Sequence, residues 1–191
     1  MSSSGRGQVL IPWPNRLEDG SYEFDGRRYQ LPLNEPEHRN AIHGLVRWST
    51  WAATKREPHR VVMEHILYPQ PGYPFLLGIS IEYALSDRGL HVQTTATNLG
   101  TQSCPYGSGA HPYLTLGTAT IDGLILHVHG QTVLRPDERG LPIWREAAPR
   151  ACRPFRRTIT RQVLPPIVCG FGKSACPALS EVMPADRKSV V

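Results

Sequence analysis

The sequence lacks the features of membrane spans, zinc sites and secreted disulfide scaffolds. No run of about 18 apolar residues occurs in its 191 residues, so we expect no transmembrane helix and no membrane partner. The first seven residues, Met-Ser-Ser-Ser-Gly-Arg-Gly, have no apolar stretch and do not resemble a secretory leader. The four cysteines form no Cys-x-x-Cys pair, and all eight histidines precede residue 144, which fits no zinc pattern. We therefore expect a cytoplasmic protein without a metal site.

The positive charge is confined to one end of the chain. Residues 1–143 hold 12 Lys and Arg against 13 Asp and Glu, whereas residues 144–191 hold 9 against 3. Residues 144–191 show no strand alternation that could extend a sheet, and we predict an Arg/Pro-rich tail that is disordered or frame-shifted. Nucleic-acid binding by this tail is an unfavoured alternative, because only Trp144 and Phe155 could stack on bases. The arginines concerned are Arg145, Arg150, Arg153, Arg156, Arg157 and Arg161.

A sustained helical period is also missing, whereas turn formers are plentiful, with 17 Gly and 18 Pro. Residues 79–85 and 90–97 alternate apolar and polar side chains around the turn Ser86-Asp87-Arg88-Gly89, which predicts a hairpin with a four-residue connection. Further strands are predicted at residues 22–24, 29–31, 51–54, 61–67 and 124–128. Many short strands with frequent turns indicate an all-β sandwich or barrel.

Four motifs occur in order over some 130 residues of the first part of the chain. They are Ile11-Pro12-Trp13-Pro14-Asn15-Arg16-Leu17, Asn40-Ala41-Ile42-His43-Gly44, Gly72-Tyr73-Pro74-Phe75, and Pro105-Tyr106-Gly107-Ser108-Gly109-Ala110-His111-Pro112-Tyr113-Leu114. In order and spacing they resemble the aldose 1-epimerase (galactose mutarotase) family, in its branch with a His-Pro-Tyr motif. The resemblance implies a partial galactose-mutarotase-like β-sandwich over residues 1–143.

The family resemblance also implies a reaction and a set of site residues. Changing the anomer of an aldohexose requires one group that protonates the ring oxygen and another that deprotonates the anomeric hydroxyl. By resemblance His111 is the general acid, His43 holds the sugar and supports the developing charge, and Arg16 contacts sugar hydroxyls. Asn15 supports its loop and Tyr113 lines the cleft. The expected partner is a glucose- or galactose-like sugar, and no cofactor is needed.

The resemblance fails at one catalytic group. The family's general base is a Glu in a late strand, and after Ile143 the only glutamates, Glu146 and Glu181, lack its surroundings. We therefore expect little mutarotase activity from this chain. A noncatalytic sugar-binding or decayed family member is the alternative. A hexose-6-phosphate epimerase would need clustered cations, and Arg27, Arg28 and Arg39 are scattered.

Several other residues receive structural predictions. Tyr73 and Phe75 are expected in the core rather than stacked on a sugar. Gly44 and Gly109 are expected at backbone turns near the site. His127 and His129 would share one strand face, which is better explained by an exposed face than by a metal.

Overall fold

The structure, a computed structural model, describes residues 5–117, 125–126, 132–147, 157–158, 167–169 and 180–182, with side-chain surroundings for 5–117 and 136–142. Within these ranges the chain forms β-strands, a short 3₁₀ helix at Pro36–His38 and no α-helix, which confirms the all-β prediction. None of the helical structure in these ranges is long and apolar enough to cross a membrane.

The strands are numbered in chain order, and their bounds are as follows. The strands of the first part are β1 (Val9–Leu10), β2 (Arg16–Glu18), β3 (Ser21–Phe24), β4 (Arg27–Gln30), β5 (Asn40–Ile42), β6 (Ala52–Glu57), β7 (Arg60–Leu67), β8 (Leu77–Ser86) and β9 (Gly89–Asn98). Those that follow are β10 (Cys104–Tyr106), β11 (Ser108–Ala110), β12 (Ile125–Leu126), β13 (Thr132–Pro136), β14 (Pro142–Ala147), β15 (Arg157–Thr158), β16 (Ile167–Cys169) and β17 (Ser180–Val182).

The largest sheet is an antiparallel meander of β6, β7, β8 and β9. Ile79 and Ile81 of β8 are buried, as their odd positions predict, because successive side chains of a strand point to opposite faces. The β8–β9 hairpin is confirmed, but its pairing continues to Ser86 and Gly89. The connection is therefore the two residues between them, shorter than the four predicted.

The hydrophobic core lies between this meander and the first two motifs. It contains Trp13, Tyr73, Phe75 and Tyr106, which confirms the core prediction for Tyr73 and Phe75. The polar atoms of the buried Tyr73 and Trp13 side chains form hydrogen bonds. The Tyr73 hydroxyl donates to the Pro105 carbonyl at 2.7 Å, and Trp13 Nε1 donates to a backbone carbonyl at 3.3 Å. Buried aromatic residues with satisfied polar atoms give this core a single arrangement.

The N-terminal segment from β1 to β2 contributes a strand to each of two sheets. β1 pairs antiparallel with β11, and β2 pairs antiparallel with β5. Between them the Ile11 carbonyl accepts a hydrogen bond from Leu45 N at 2.7 Å, and the Pro12 carbonyl accepts one from Gly107 N at 2.6 Å. The second and fourth motifs are thereby both hydrogen-bonded to the first motif.

Gly44 makes this approach possible. Its φ is +69°, and a Cβ built on it would lie 2.1 Å from the Ile11 carbonyl oxygen. The turn predicted at Gly44 is confirmed. The turn predicted at Gly109 is wrong, because Gly109 lies within β11 and pairs with Leu10 on one side and Val168 on the other.

Three short strands come from the segment predicted as a tail. β15 pairs with β12, β16 pairs with the outer side of β11, and β17 pairs with β10. β14 crosses the predicted boundary at residue 143 and forms a hairpin with β13. Strands of two or three residues are too short to show alternation, and the sequence pattern therefore did not reveal them.

Gly44→Ala is expected to destabilise the protein severely, because the added methyl group would overlap the Ile11 backbone and the new residue would keep a left-handed φ. We expect a loss of about 4 kcal/mol or more in the free energy of unfolding, measured by urea denaturation.

Gly26→Ala is the matched control. Gly26 has nearly the same φ, +67°, but nothing lies within 4 Å of its built Cβ. Its substitution should cost only about 1–2 kcal/mol, the strain of the left-handed conformation alone. Equal losses in the two variants would contradict the proposed clash at Ile11.

Candidate active site

His43 and Arg16 are brought together by the register of one strand pair. Arg16 at the start of β2 pairs with Ile42 at the end of β5. The next residues outward, Asn15 and His43, both have left-handed φ values, of 59° and 66°. His43 N donates to the Asn15 carbonyl at 2.8 Å, which closes the ladder. The sharp turn of both backbones therefore fixes where the imidazole leaves the sheet.

His111 reaches the same place from the other strand pair. It follows β11 directly, and its N–H donates to the Gln8 carbonyl at 3.1 Å. Its own carbonyl accepts a hydrogen bond from Gly7 N at 3.0 Å. The residue is only 6% exposed. His111 is thus fixed on both sides of its backbone by the N-terminal segment.

The two imidazoles are in direct contact. Nε2 of His111 lies 3.0 Å from Nε2 of His43, and the rings stand nearly perpendicular, at 87°. One Nε2 must therefore carry a hydrogen while the other presents a lone pair. Nδ1 of His43 is buried without a partner. An orphaned buried N–H is less tolerable than an orphaned lone pair, which assigns the shared hydrogen to His43.

Both imidazoles are neutral at pH 7. The pKa of His43 is lowered to about 4, mainly by burial and also by His111, Arg47 and Arg16, while Glu35 opposes this shift. Burial also lowers the pKa of His111. A pair of neutral imidazoles can both donate and accept a proton without a change in its total charge.

Arg16 is held by a carboxylate that sequence reasoning missed. Its Nε and Nη2 each donate to Glu35 at 2.7 Å, and Nη1 donates to Asn15 Oδ1 at 3.3 Å. The carboxylate also accepts from Asn40 Nδ2 at 3.0 Å. Burial raises the pKa of Glu35, but the hydrogen bonds from Arg16 and Asn40 outweigh it and hold the pKa below the ordinary value. Glu35 is therefore a poor proton acceptor.

The turn before β14 covers Arg16 from outside. A Cβ built on Gly140 would lie 2.6 Å from Nη1 of Arg16. The neighbouring Arg139 donates to Glu18 at 3.1 Å and to Asp19 at 2.9 Å, which ties the turn to the end of β2. Arg16 is consequently confined between its carboxylate partner and this turn.

Arg47 and Tyr113 follow the two histidines closely in the sequence. Burial lowers the pKa of Arg47, four residues after His43, although Glu35 opposes this shift. The Arg47 guanidinium is 5.7 Å from the centroid of the exposed Trp48 ring. Tyr113, predicted to line the cleft, is 41% exposed, and its ring lies 5.2 Å from the Arg6 guanidinium. The contacts described for Tyr113 include neither histidine of the pair.

Of the predicted residues, the structure brings together His43, His111, Asn15 and Arg16. Sequence reasoning missed Glu35 and Arg47, which lie five residues before and three residues after the second motif and have no spacing that indicates a role. Over the described residues, no group of three His, Cys, Asp or Glu side chains could hold a metal ion. His127 and His129 lie outside the described residues.

The fold is similar to that of solved mutarotase-like proteins. A galactose mutarotase-like protein from Clostridium acetobutylicum superposes with a TM-score of 0.62 at 24% identity, covering 73% of this chain and 45% of that one. A galactose mutarotase related enzyme from Lactobacillus acidophilus superposes with a TM-score of 0.57 at 21% identity, covering 74% and 47%. The architecture is thus that of the galactose-mutarotase-like β-sandwich.

Comparison of the sequence with known proteins shows the family of this chain. The family model for aldose 1-epimerase matches residues 2–165, and the chain belongs to this family. It is 40% identical over 137 residues to the uncharacterized protein YihR of Escherichia coli strain K12, an alignment covering 71% of this chain and 44% of that protein. The chain therefore spans less than half the length of this curated relative.

Glu35→Gln is expected to lower the free energy of unfolding by about 1–3 kcal/mol, because it leaves the Arg16 guanidinium without its charged partner. The two side chains are 26% and 12% exposed, so water compensates poorly. Urea denaturation measures the loss. The control is Glu82→Gln, which breaks the more exposed pair with Arg60 and should cost clearly less, because water screens an exposed ion pair. Equal costs would show that the Arg16 pair is solvated.

Acid is expected to destabilise the protein through His43. Its pKa is about 4 when folded but about 6.5 when unfolded, so between these values the unfolded chain binds more protons. The stabilisation is complete above about pH 6.5 and is lost as the pH falls toward about 4. The variant His43→Asn is suitable for comparison because asparagine tolerates the left-handed φ. Its free energy of unfolding, measured by denaturation, should depend less steeply on pH than that of the wild type. Identical slopes would contradict a buried neutral His43.

Proposed function

We propose that the chain carries the chemistry of an aldose 1-epimerase, interconverting the α and β anomers of an aldohexose by acid/base opening of the sugar ring. The observation that supports this most is the 3.0 Å contact between Nε2 of His43 and Nε2 of His111. These residues lie 68 positions apart in two separate motifs. Their convergence gives one proton donor and one lone pair at a single place.

The proposed roles are those that membership of the aldose 1-epimerase family implies for these residues. His111 protonates the ring oxygen as the hemiacetal opens, which requires a hydrogen on its Nε2 when sugar is bound, and the anomeric hydroxyl loses its proton to a separate base. His43 holds the sugar and, being neutral, can accept a hydrogen bond from a hydroxyl or donate one to a developing alkoxide. Arg16 supplies fixed positive charge nearby, with Glu35 and Asn15 fixing its orientation. The proposed substrate is a glucose- or galactose-like sugar.

A noncatalytic carbohydrate-binding protein is the second candidate, and one observation favours it. Glu35, the carboxylate paired with Arg16, has its pKa held low by hydrogen bonds from Arg16 and Asn40, and this suits it poorly for the general-base step. Among the described side chains around the histidine pair, no other carboxylate takes its place. Binding through the histidines and Arg16 does not require that step.

Polarimetry of freshly dissolved α-galactose or α-glucose separates the two candidates. If the histidine pair performs the chemistry, the purified chain accelerates mutarotation, and His111→Ala lowers the catalysed rate by about 10²–10⁴-fold. The control is His91→Ala, at an exposed position in β9, which should leave the rate unchanged. Sugar binding without acceleration would favour the noncatalytic candidate. An equal loss in both variants would indicate a general effect on folding.

A further inference from the structure

Gln8 has a buried amide group without a hydrogen-bond partner. The residue is 6% exposed, and its Nε2 has no hydrogen-bond partner. Removing two N–H groups from water without replacing their hydrogen bonds is unfavourable, and such donors are uncommon in folded proteins. Residues that keep this cost often belong to sites where a ligand supplies the missing acceptor.

The position of Gln8 relates it to one residue of the candidate site. Gln8 is the backbone partner of His111 where β1 and β11 begin to separate, and the His111 N–H donates to its carbonyl at 3.1 Å. The register of the neighbouring pair, Val9 with Ala110, places Gln8 directly opposite His111. Side chains directly opposite each other in an antiparallel pair lie on the same face.

The two side chains border the same small space. A Cβ built on Gly5 would lie 3.1 Å from Oε1 of Gln8 and 3.5 Å from Cδ2 of His111. Cδ2 is bonded to Nε2, the atom of His111 that contacts His43. The carboxamide of Gln8 and the imidazole edge that the proposed reaction uses therefore both lie against Gly5, where a glycine leaves room for them.

We propose that Gln8 is a further ligand-binding residue of the histidine site, whose Nε2 donates a hydrogen bond to a hydroxyl oxygen of the bound sugar. A neutral amide donor suits an uncharged polyol better than an anion, for which a cation would be the stronger partner. The proposal rests on the proposed function for the identity of the ligand. Its evidence, the unpartnered donor beside His111, is independent of turnover.

Gln8→Met tests the proposal, because methionine keeps the length of the side chain and removes the donor. If the donor has no partner in the free protein, the variant should melt at the same temperature as the wild type or higher. Its affinity for galactose should fall by about five- to tenfold, the usual effect of one neutral hydrogen bond. The affinity is measured by titrating the protein with galactose and following the NMR signals of the His43 and His111 imidazoles.

Gln30→Met is the control of the same residue type. Nε2 of Gln30 donates to the carbonyls of Asp19 at 2.9 Å and Leu31 at 3.1 Å. Its loss should lower the melting temperature while leaving the galactose affinity unchanged. The two variants are thus expected to change stability and affinity in opposite ways.

Each outcome has a defined meaning. A lower melting temperature for Gln8→Met would show that the donor has a partner within the protein and would overturn the proposal. So would an unchanged galactose affinity. Galactose binding by the wild type without mutarotation would refute catalysis but leave the Gln8 test intact. If the wild type binds no sugar at all, the Gln8 proposal and the proposed function fail together.

Discussion

At Gly44 the chain crosses the Ile11 carbonyl at a distance that no side chain permits, since a Cβ there would lie 2.1 Å from the oxygen. Leu45 N then donates to that carbonyl at 2.7 Å. This crossing holds the turn that carries His43 against the N-terminal segment. The same segment pairs with β11, which ends at His111. The contact between the two imidazoles therefore depends on backbone geometry rather than on attraction between the rings.

Burial keeps the two imidazoles neutral, and the positive charges around His43 act in the same direction. Arg16 and Arg47 lie close enough to oppose a positive charge on His43. Arg16 is in turn balanced by Glu35, whose carboxylate accepts two hydrogen bonds from Arg16 and one from Asn40. A partly buried cation with a fixed carboxylate keeps its orientation better than a solvated one. Arg16 and Glu35 thus form a fixed ion pair beside two uncharged imidazoles.

The sequence predicted best where one physical rule acts along a continuous stretch. The β8–β9 hairpin was predicted because burial of one face forces a period of two, as at Ile79 and Ile81. His43 and His111 were identified through motifs, because no local pattern says that residues 68 positions apart will touch.

The features that sequence reasoning missed depend on contacts between distant segments. Glu35 matters because Arg16 and Asn40 hold it, and Gln8 matters because β1 pairs with β11. Neither residue type nor spacing contains that information. Gly109 illustrates the reverse error, because a glycine in a motif was interpreted as a turn although the pairing of β11 on both sides requires an extended backbone.

The pairing of β1 with β11 also has a consequence for the order in which the protein can form. Val9 and Ala110 are joined across roughly 100 residues of chain, and Arg139 contacts Glu18 across a still longer interval. Contacts between such distant positions slow folding. At a synthesis rate of about 5–20 residues per second, the N-terminal segment leaves the ribosome some 5–20 seconds before its partner strand exists. During that interval Leu10, Ile11 and Trp13, all buried in the finished fold, form an uncovered apolar stretch to which chaperones could bind.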